Sequence, residues 1–265
     1  MRQDRLNDME SYILKHGTST LEELSAYFDV SISTIRRDVM ELVKRKPFDK
    51  VYGGVSVRAR ILSNSPVSDR LCYNGQAKQL IGKLAADLVD DGMSVFLDSG
   101  STTIQILPFL AQKNNITIIS HNLMVLFEAA KYPSLNIIAL GGAYNRDIYA
   151  FISNGILEEL SRMSISLVFL AAGGVSLNRG LTSNNYSDVE IKKTVVKWNR
   201  NLVLVADHLT FSKDALLTFC KFDEVGAIIT DQMPSHEYIT ACKMADVHLI
   251  TPQATCLSKR EFIAI

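Results

Sequence analysis

Residues 31–38 read Ser31-Ile32-Ser33-Thr34-Ile35-Arg36-Arg37-Asp38. Ser31 is placed to cap a helix, because a side-chain oxygen there accepts from the first free backbone N–H groups. Ile32, Ile35, Val39 and Leu42 recur at spacings of 3, 4 and 3, which aligns them on one side of a helix. Ser33, Thr34, Arg36 and Arg37 are left on its outer and N-terminal surfaces. Upstream, Thr20-Leu21-Glu22-Glu23 has the form of a capping box. It predicts a helix whose inner face is Leu21, Leu24, Tyr27 and Phe28, joined to the next by the turn Asp29-Val30-Ser31. Earlier still, Leu6, Met9 and Ile13 predict a helix from about Asp4 to Lys15, ended by Gly17. Downstream, Pro47 stops the third helix. Phe48–Tyr52 then reads as a strand that Gly53-Gly54 turns back into Val55–Val57. Two short helices joined by a tight turn, with a hairpin beside the second, make a winged helix-turn-helix.

In such units the first residues of the second helix reach base edges. This nominates Ser31, Ser33, Thr34, Arg36 and Arg37 for DNA binding, with Lys44, Lys50 and Tyr52 as phosphate contacts. The competing reading is a solvated face on which Arg36 or Arg37 pairs with Asp38 or Glu41. Charge favours the first. The 265-residue chain has zero formal net charge, yet residues 31–60 hold eight Lys/Arg against three acids, and residues 61–265 hold 17 against 19. A local basic patch on a neutral protein fits a polyanion partner at one end.

The apolar share of 47% suits a globular protein with a real core. Cys72, Cys220, Cys242 and Cys256 lack the spacing of a zinc site or a disulfide framework. No metal or cofactor is expected. The polar start is no signal peptide and no apolar run is long enough to span a membrane, so a cytoplasmic protein without a membrane partner is expected. Three domains of sequence follow: the winged unit over 1–57, a linker over 58–75, and an effector domain over 76–265. In the last, helical segments alternate with short apolar strands near 94–97, 116–119, 135–140, 167–171, 202–206, 227–230 and 247–250. That alternation predicts an α/β domain with a mostly parallel sheet.

Ligands of open α/β sheets bind at the carboxyl ends of strands. Leu97-Asp98-Ser99-Gly100-Ser101-Thr102-Thr103 follows one strand and is expected to open a helix. Its N–H groups, a glycine that admits close approach and four hydroxyls would make a phosphate cradle. Gly141-Gly142 with Arg146, Gly173-Gly174 and Asp207-His208 end three further strands. Four such ends would line one crevice for a small anionic ligand. His121 and His208 also follow strands. His16, His236 and His248 are expected on the surface, and Trp198 is expected to pack on its helix. The alternative is a sugar-phosphate isomerase-like enzyme, with Asp188 or Glu190 as the base that moves a proton. The plain Ala171-Ala172-Gly173-Gly174 turn argues against a catalytic set.

These motifs together resemble the DeoR family of bacterial sugar-metabolism regulators. The resemblance rests on Glu23-Leu24, Val30-Ser31, Thr34-Ile35-Arg36-Arg37-Asp38 and Tyr52-Gly53-Gly54 in the first fifth. Asp98–Thr103, Gly141-Gly142, Gly173-Gly174, Lys193 and Ala206-Asp207-His208 carry it further along. It implies an α/β effector domain similar to ribose-5-phosphate isomerase behind the winged helix-turn-helix. It also implies a non-enzymatic repressor of a carbohydrate-catabolic operon, bound to double-stranded operator DNA as a homodimer or homotetramer. A phosphorylated sugar or sugar alcohol would be its inducer, with the Ser99–Thr103 loop on the phosphate and Asn122, Asp188 and Lys193 among the contacts. The chain departs from the family pattern at Ser120-His121-Asn122, at Asp188 where Glu is frequent, at Lys46, and at Thr210, which stands where a lysine is usual. Lys213 follows three residues later.

Overall fold

The computed structural model describes residues 2–44, 48–57 and 73–255. It divides into one unit spanning Met1–Gln76 and another spanning Ala77–Ile265. Lys46, Pro47, Cys72, Cys256 and most of the expected linker lie outside the described residues.

The first unit contains α1 (Arg2–His16), β1 (Thr18–Thr20), α2 (Leu21–Phe28), α3 (Ile32–Leu42), β2 (Phe48–Val51) and β3 (Gly54–Val57). The capping box of α2 is formed: Thr20 N–H donates to Glu23 Oε2 at 2.9 Å, and Glu23 N–H donates to Thr20 Oγ1 at 3.1 Å. Asp29 ends α2 in the left-handed region at φ 49°. Leu6, Met9, Ile13, Leu24, Ile35, Val39, Leu42, Phe48 and Val55 form the buried core. Two expected core positions are corrected. Tyr27 is 64% exposed, because its ring lies sideways on Tyr12 with centroids 4.3 Å apart. Ile32 is exposed as well, one turn short of the buried stretch that begins at Ile35. The hairpin β2–β3 forms, but its turn is Tyr52-Gly53 rather than Gly53-Gly54, with Val51 opposite Gly54, which belongs to β3. Sequence reading missed β1, which pairs with β3 to complete a three-stranded sheet of order β1-β3-β2. Gly54 is what permits it, since a Cβ there would collide with the Ser19 carbonyl oxygen.

The second unit is built on an eight-stranded sheet of order β16-β15-β14-β12-β9-β4-β5-β6. Seven strands are parallel: β4 (Ser94–Leu97), β5 (Ile116–Ser120), β6 (Leu135–Ala139), β9 (Leu167–Leu170), β12 (Leu202–Val205), β14 (Ala227–Ile229) and β15 (His248–Thr251). They match the seven predicted strands to within about a residue. The inner strands β4, β9, β12 and β14 are nearly continuous apolar runs, as strands covered on both faces require, whereas the edge strand β6 exposes all but Leu135. The short β16 (Ala254–Thr255) is antiparallel to β15. Around the sheet lie α4 (Gly75–Asp87), α5 (Leu107–Leu110), α6 (Leu123–Ala129), α7 (Asn154–Arg162), α8 (Tyr186–Trp198) and α9 (His236–Met244).

Strand order reverses at β4. The chain steps outward through β5 to β6, then returns to lay β9 on the other flank of β4 and continues through β12, β14 and β15. The crevice between the carboxyl ends of β4 and β9 is therefore the topological switch point, where ligands of such sheets bind.

Small antiparallel additions were not legible: the hairpin β7 (Ala143–Asn145) and β8 (Ala150–Ile152), and the sheet of β10 (Gly174–Ser176), β11 (Gly180–Ser183) and β13 (Leu217–Cys220). Two further expectations are corrected. The Asp98–Thr103 loop opens a 3₁₀ turn, Thr103–Ile106, and then only the four residues of α5, with Pro108 in its first turn. Trp198 is half-exposed at the end of α8, with Lys197 Nζ 5.3 Å above its ring.

Candidate functional site

On α3, Ser31 Oγ accepts from Thr34 N–H at 3.3 Å and lies 2.9 Å from Ser33 Oγ and 3.0 Å from Thr34 Oγ1. The three hydroxyls thus form one exposed cluster at the helix N-terminus. Arg36 and Arg37 are exposed and form no ion pair among the described residues. The acids that could have silenced them are engaged elsewhere. Asp38 is buried and accepts from Arg2 Nε at 3.2 Å and Arg5 Nε at 2.8 Å. Glu41 pairs with Lys44 at 3.2 Å. Lys50 is exposed on β2, and Tyr52 stands fully exposed at the wing tip beside Gly53, whose φ is +74°. The solvated-face reading required Asp38 or Glu41 as partners of these arginines, and both are taken.

At the switch point, Asp98 leaves β4 with its carboxylate fully buried. Its Oδ2 accepts from Ala171 N–H at 2.9 Å and from the Lys192 ammonium. Lys192 Nζ also donates to the Ala171 carbonyl at 3.0 Å and lies 3.2 Å from Asp188 Oδ2. Asp188 Oδ1 accepts from the Ser99 hydroxyl and lies 3.4 Å from His121 Nε2. One buried network therefore ties the ends of β4, β5 and β9 to α8. Burial alone would raise the Asp188 carboxyl. The Lys192 ammonium, helped by His121 and Ser99, outweighs it and holds Asp188 well below the usual carboxylate range. Burial would likewise lower Lys192, but Asp188 and Asp98 outweigh it and raise it. Asp98, His121 and Asp188 could each offer a metal one ligand atom, all within 4.8 Å of one another. The Lys192 ammonium bonded to both carboxylates supplies the positive charge that this set calls for.

The loop above this network leaves several donors without acceptors. Gly100 packs so closely on Ala171 that a Cβ would collide with it. The backbone N–H groups of Ser99, Gly100, Ser101 and Thr102 have no acceptor among the described residues. Ser101 and Thr102 are buried, and their hydroxyls have no partner among the described residues either. The other two hydroxyls are committed: Ser99 to Asp188, and Thr103 Oγ1 to the carbonyls of Asp98 and Gly100, both at 2.8 Å.

Other nominated residues fare differently. Lys193 is 50% exposed and pairs with Glu190 at 3.1 Å on the outside of α8. The lysine of the site is its neighbour Lys192, 2% exposed. An acid and a lysine four residues apart share a helix face, so Asp188 and Lys192 were the signal that could have found it. Asn122 is consumed as the N-cap of α6, accepting from Met124 and Val125 N–H and donating to the Ile148 carbonyl. Gly142 is required where a Cβ would meet the Ile152 carbonyl, while Gly141 is open. Arg146 is exposed between β7 and β8. Gly173 N–H bonds the Thr182 carbonyl at 2.8 Å, and the tight glycine is Gly174, packed on the Lys213 carbonyl. Asp207 is buried at the end of β12 and accepts from Thr210 Oγ1 at 2.9 Å. Lys213 is half-buried near Asp207, and burial pulls its ammonium below the usual lysine range against that charge.

Comparison with known proteins agrees with both halves. The DeoR-like helix-turn-helix domain matches residues 5–60 and the DeoR C-terminal sensor domain residues 73–232. The HTH-type transcriptional regulator IolR of Bacillus subtilis is 35% identical over 91% of this chain and 96% of its own length. The glycerol-3-phosphate regulon repressor of Escherichia coli is 26% identical over 87% of this chain and 91% of its own. Ribose 5-phosphate isomerase A from Methanocaldococcus jannaschii aligns over 53% of this chain and 56% of its own, at 19% identity and a TM-score of 0.40, and no residue role is carried over from it. The chain belongs to the DeoR family and is a DNA-binding transcriptional regulator, not an enzyme.

Proposed function

We propose that this regulator represses a carbohydrate-related operon. In this reading α3 and the β2–β3 wing hold operator DNA, and a phosphorylated sugar or sugar alcohol on the Ser99–Thr102 loop releases it. The observation that carries the effector half is the loop itself: four N–H groups and the Ser101 and Thr102 hydroxyls, all without partners among the described residues, at the switch point. Backbone amides converging on one point bind phosphate without needing a lysine, and here the nearest buried lysine is spent on Asp98 and Asp188. The name of one relative, a glycerol-3-phosphate regulon repressor, fits a phosphorylated effector.

On the DNA side, Arg36 and Arg37 are the base-reading groups, each able to place two hydrogen bonds on a guanine. Lys44, Lys50 and Tyr52 hold phosphates. A dimer or tetramer presents two heads about 34 Å apart, one turn of DNA. An effector can weaken DNA binding only if it binds the DNA-free arrangement more tightly.

The test is fluorescence anisotropy of the full chain on its own upstream DNA, at stated salt, with and without a panel of sugar phosphates. Tight binding relieved by one compound is expected. Arg36→Ala and Arg37→Ala should each cost about 1–3 kcal/mol of preference for the operator over random DNA. Unchanged preference in both variants would remove the recognition-helix assignment.

A further inference from the structure

The eight-stranded sheet is finished differently at its two edges. At one, the return strand β16 covers β15. At the other, β6 is the last strand, and among the described residues nothing pairs with its outer side. It runs in register with β5 over all five residues, without a bulge. Leu140 N–H donates to the Ser120 carbonyl at 2.9 Å. Backbone groups of successive strand residues point to alternate sides, so those of Asn136 and Ile138 also face β5. Those of Ile137 and Ala139 face outward, and their N–H groups have no acceptor among the described residues.

An open edge templates pairing with another chain, and proteins blunt it with charge, proline or a bulge. The edge strand β2 of the small sheet carries Asp49 and Lys50. β6 has none of these devices. No Asp, Glu, Lys, Arg or His occurs over residues 132–145, in a chain that is 21% charged. Ile137 and Ile138 lie on opposite faces of the strand and are 38% and 41% exposed, although strands of a parallel sheet are ordinarily covered on both faces. The crossover helix α6 packs on β6 and adds exposed Leu123 and Phe127, one turn apart.

We infer that β6 is the seam of a two-fold dimer: it pairs antiparallel with β6 of a second copy and joins two eight-stranded sheets into one. This rests on the reading that the regulator acts as a dimer or tetramer, and it names the surface that builds one. The backbone fits a centre at Ile137. Opposed residues of a hydrogen-bonded antiparallel pair exchange two bonds, so Ile137 and its copy supply two. Each Ala139 N–H then meets the Leu135 carbonyl of the other chain. Leu135 N–H is already given to the Tyr132 carbonyl at 3.1 Å, and the ladder ends there. A two-fold axis sets each patch against itself, so a charge near it would meet its own like. The uncharged run over 132–145 is what self-pairing requires. Area agrees. With about 200 Å² for a large side chain, the exposed parts of Leu123, Phe127, Ile137 and Ile138 amount to about 350 Å² per copy. The strand backbone, Asn136 and Ala139 bring the pair to the total of about 1,000 Å² that a specific interface needs.

The test is sedimentation of the full chain over micromolar concentrations, with Ile137→Lys and Ile137→Glu singly and mixed. Wild type is expected as a dimer or a dimer of dimers. Each variant alone sets like charges together at the axis. It should sediment at half the wild-type mass, with the dissociation constant raised about a hundredfold or more. In the mixture lysine meets glutamate, and the wild-type mass should return. Ala139→Pro removes an outward N–H and leaves the β5 ladder intact, as an edge strand tolerates, and it should halve the mass as well. Thermal melting checks that each variant is folded, and Ala139→Pro decides if a charged variant is not. Wild-type mass in the folded variants, or a loss that mixing folded charged variants does not restore, overturns the inference alone. A monomeric wild type overturns both the inference and the assembly reading beneath it.

Discussion

Adjacent lysines on α8 supply the sharpest test of the structure. Lys192→Met and Lys193→Met make the same chemical change one residue apart. Lys192 neutralises two buried carboxylates, Asp98 and Asp188. Removing one member of a buried ion pair costs about 3–5 kcal/mol, because the charge left behind has neither water nor partner. The penalty is capped when a carboxyl takes up a proton instead. Lifting one carboxyl from about 4 to about 7 costs roughly 4 kcal/mol, so the two routes agree near 4. For a unit of this size each kcal/mol shifts the melting temperature by about 2–4 °C, so Lys192→Met should melt about 8–16 °C below wild type. Lys193 holds only the exposed Glu190, and its loss should cost about 0.5 kcal/mol or less. The assay is urea and thermal unfolding of the full chain, following the effector unit.

Dependence on pH separates this mechanism from lost packing. Asp188 is depressed in the folded state, so its contribution is present above its unfolded value and is lost as pH falls through the folded one. Lys192 is raised, so its contribution is present below its unfolded value and is lost only as pH climbs through the higher folded one. Wild type therefore weakens on acidification. In Lys192→Met the orphaned carboxylates are relieved by protons, and the gap to wild type should narrow between pH 7 and 4. A Lys192→Met protein within about 1 kcal/mol of wild type, or a gap independent of pH, would refute the reasoning.

Three further outcomes are expected. Asp38→Asn removes the buried acceptor of Arg2 and Arg5 and should cost about 2–3 kcal/mol in urea unfolding of the DNA-binding unit, less than a fully buried pair because Arg2 is mostly exposed. Gly100→Ala sets a methyl against Ala171 and should give a chain that still binds operator DNA in anisotropy but no longer responds to its effector. Burial pushes the Cys242 thiol up to about 11 and the Cys220 thiol higher still, so iodoacetamide at pH 8 should leave both unmodified in native protein by mass spectrometry, and modify them in urea.

Much of the fold was legible because its signals are local. The Thr20–Glu23 capping box, the 3-4-3 apolar spacing of α3 and the turn at Gly53 each need only a few consecutive residues. The parallel strands are short, mostly apolar runs, which are local signals of the same kind. What escaped depends on remote partners. Thr18-Ser19-Thr20 is a strand only because Gly54, far along the chain, leaves room for it. The three- and four-residue strands β7, β8, β10 and β11 are too short to show a period. Tyr27 looks like a core residue until Tyr12 turns it sideways. In the site, the loop Asp98–Thr103 was found, but not which hydroxyls stay free, because Asp188 and the backbone claim Ser99 and Thr103 from a distance.

Both proposed surfaces share one electrostatic arrangement. A guanidinium meant for guanine, or an amide nest meant for phosphate, is useless if a neighbouring carboxylate has claimed it. On α3 the acids Asp38 and Glu41 are occupied by Arg2, Arg5 and Lys44, and Arg36 and Arg37 stay available. Beneath the β4 loop the problem is repulsion: an uncompensated carboxylate about 6 Å from a bound phosphate costs roughly 3 kcal/mol per charge at an effective dielectric of 20. Lys192 offsets two such groups, and the Ser99 hydroxyl donates to Asp188, while the loop N–H groups have no acceptor among the described residues. Deeply buried charged residues in each unit thus set the availability of donors they never replace. Asp38 and Lys192 should on this ground be as costly to lose for function as the residues that touch DNA or effector.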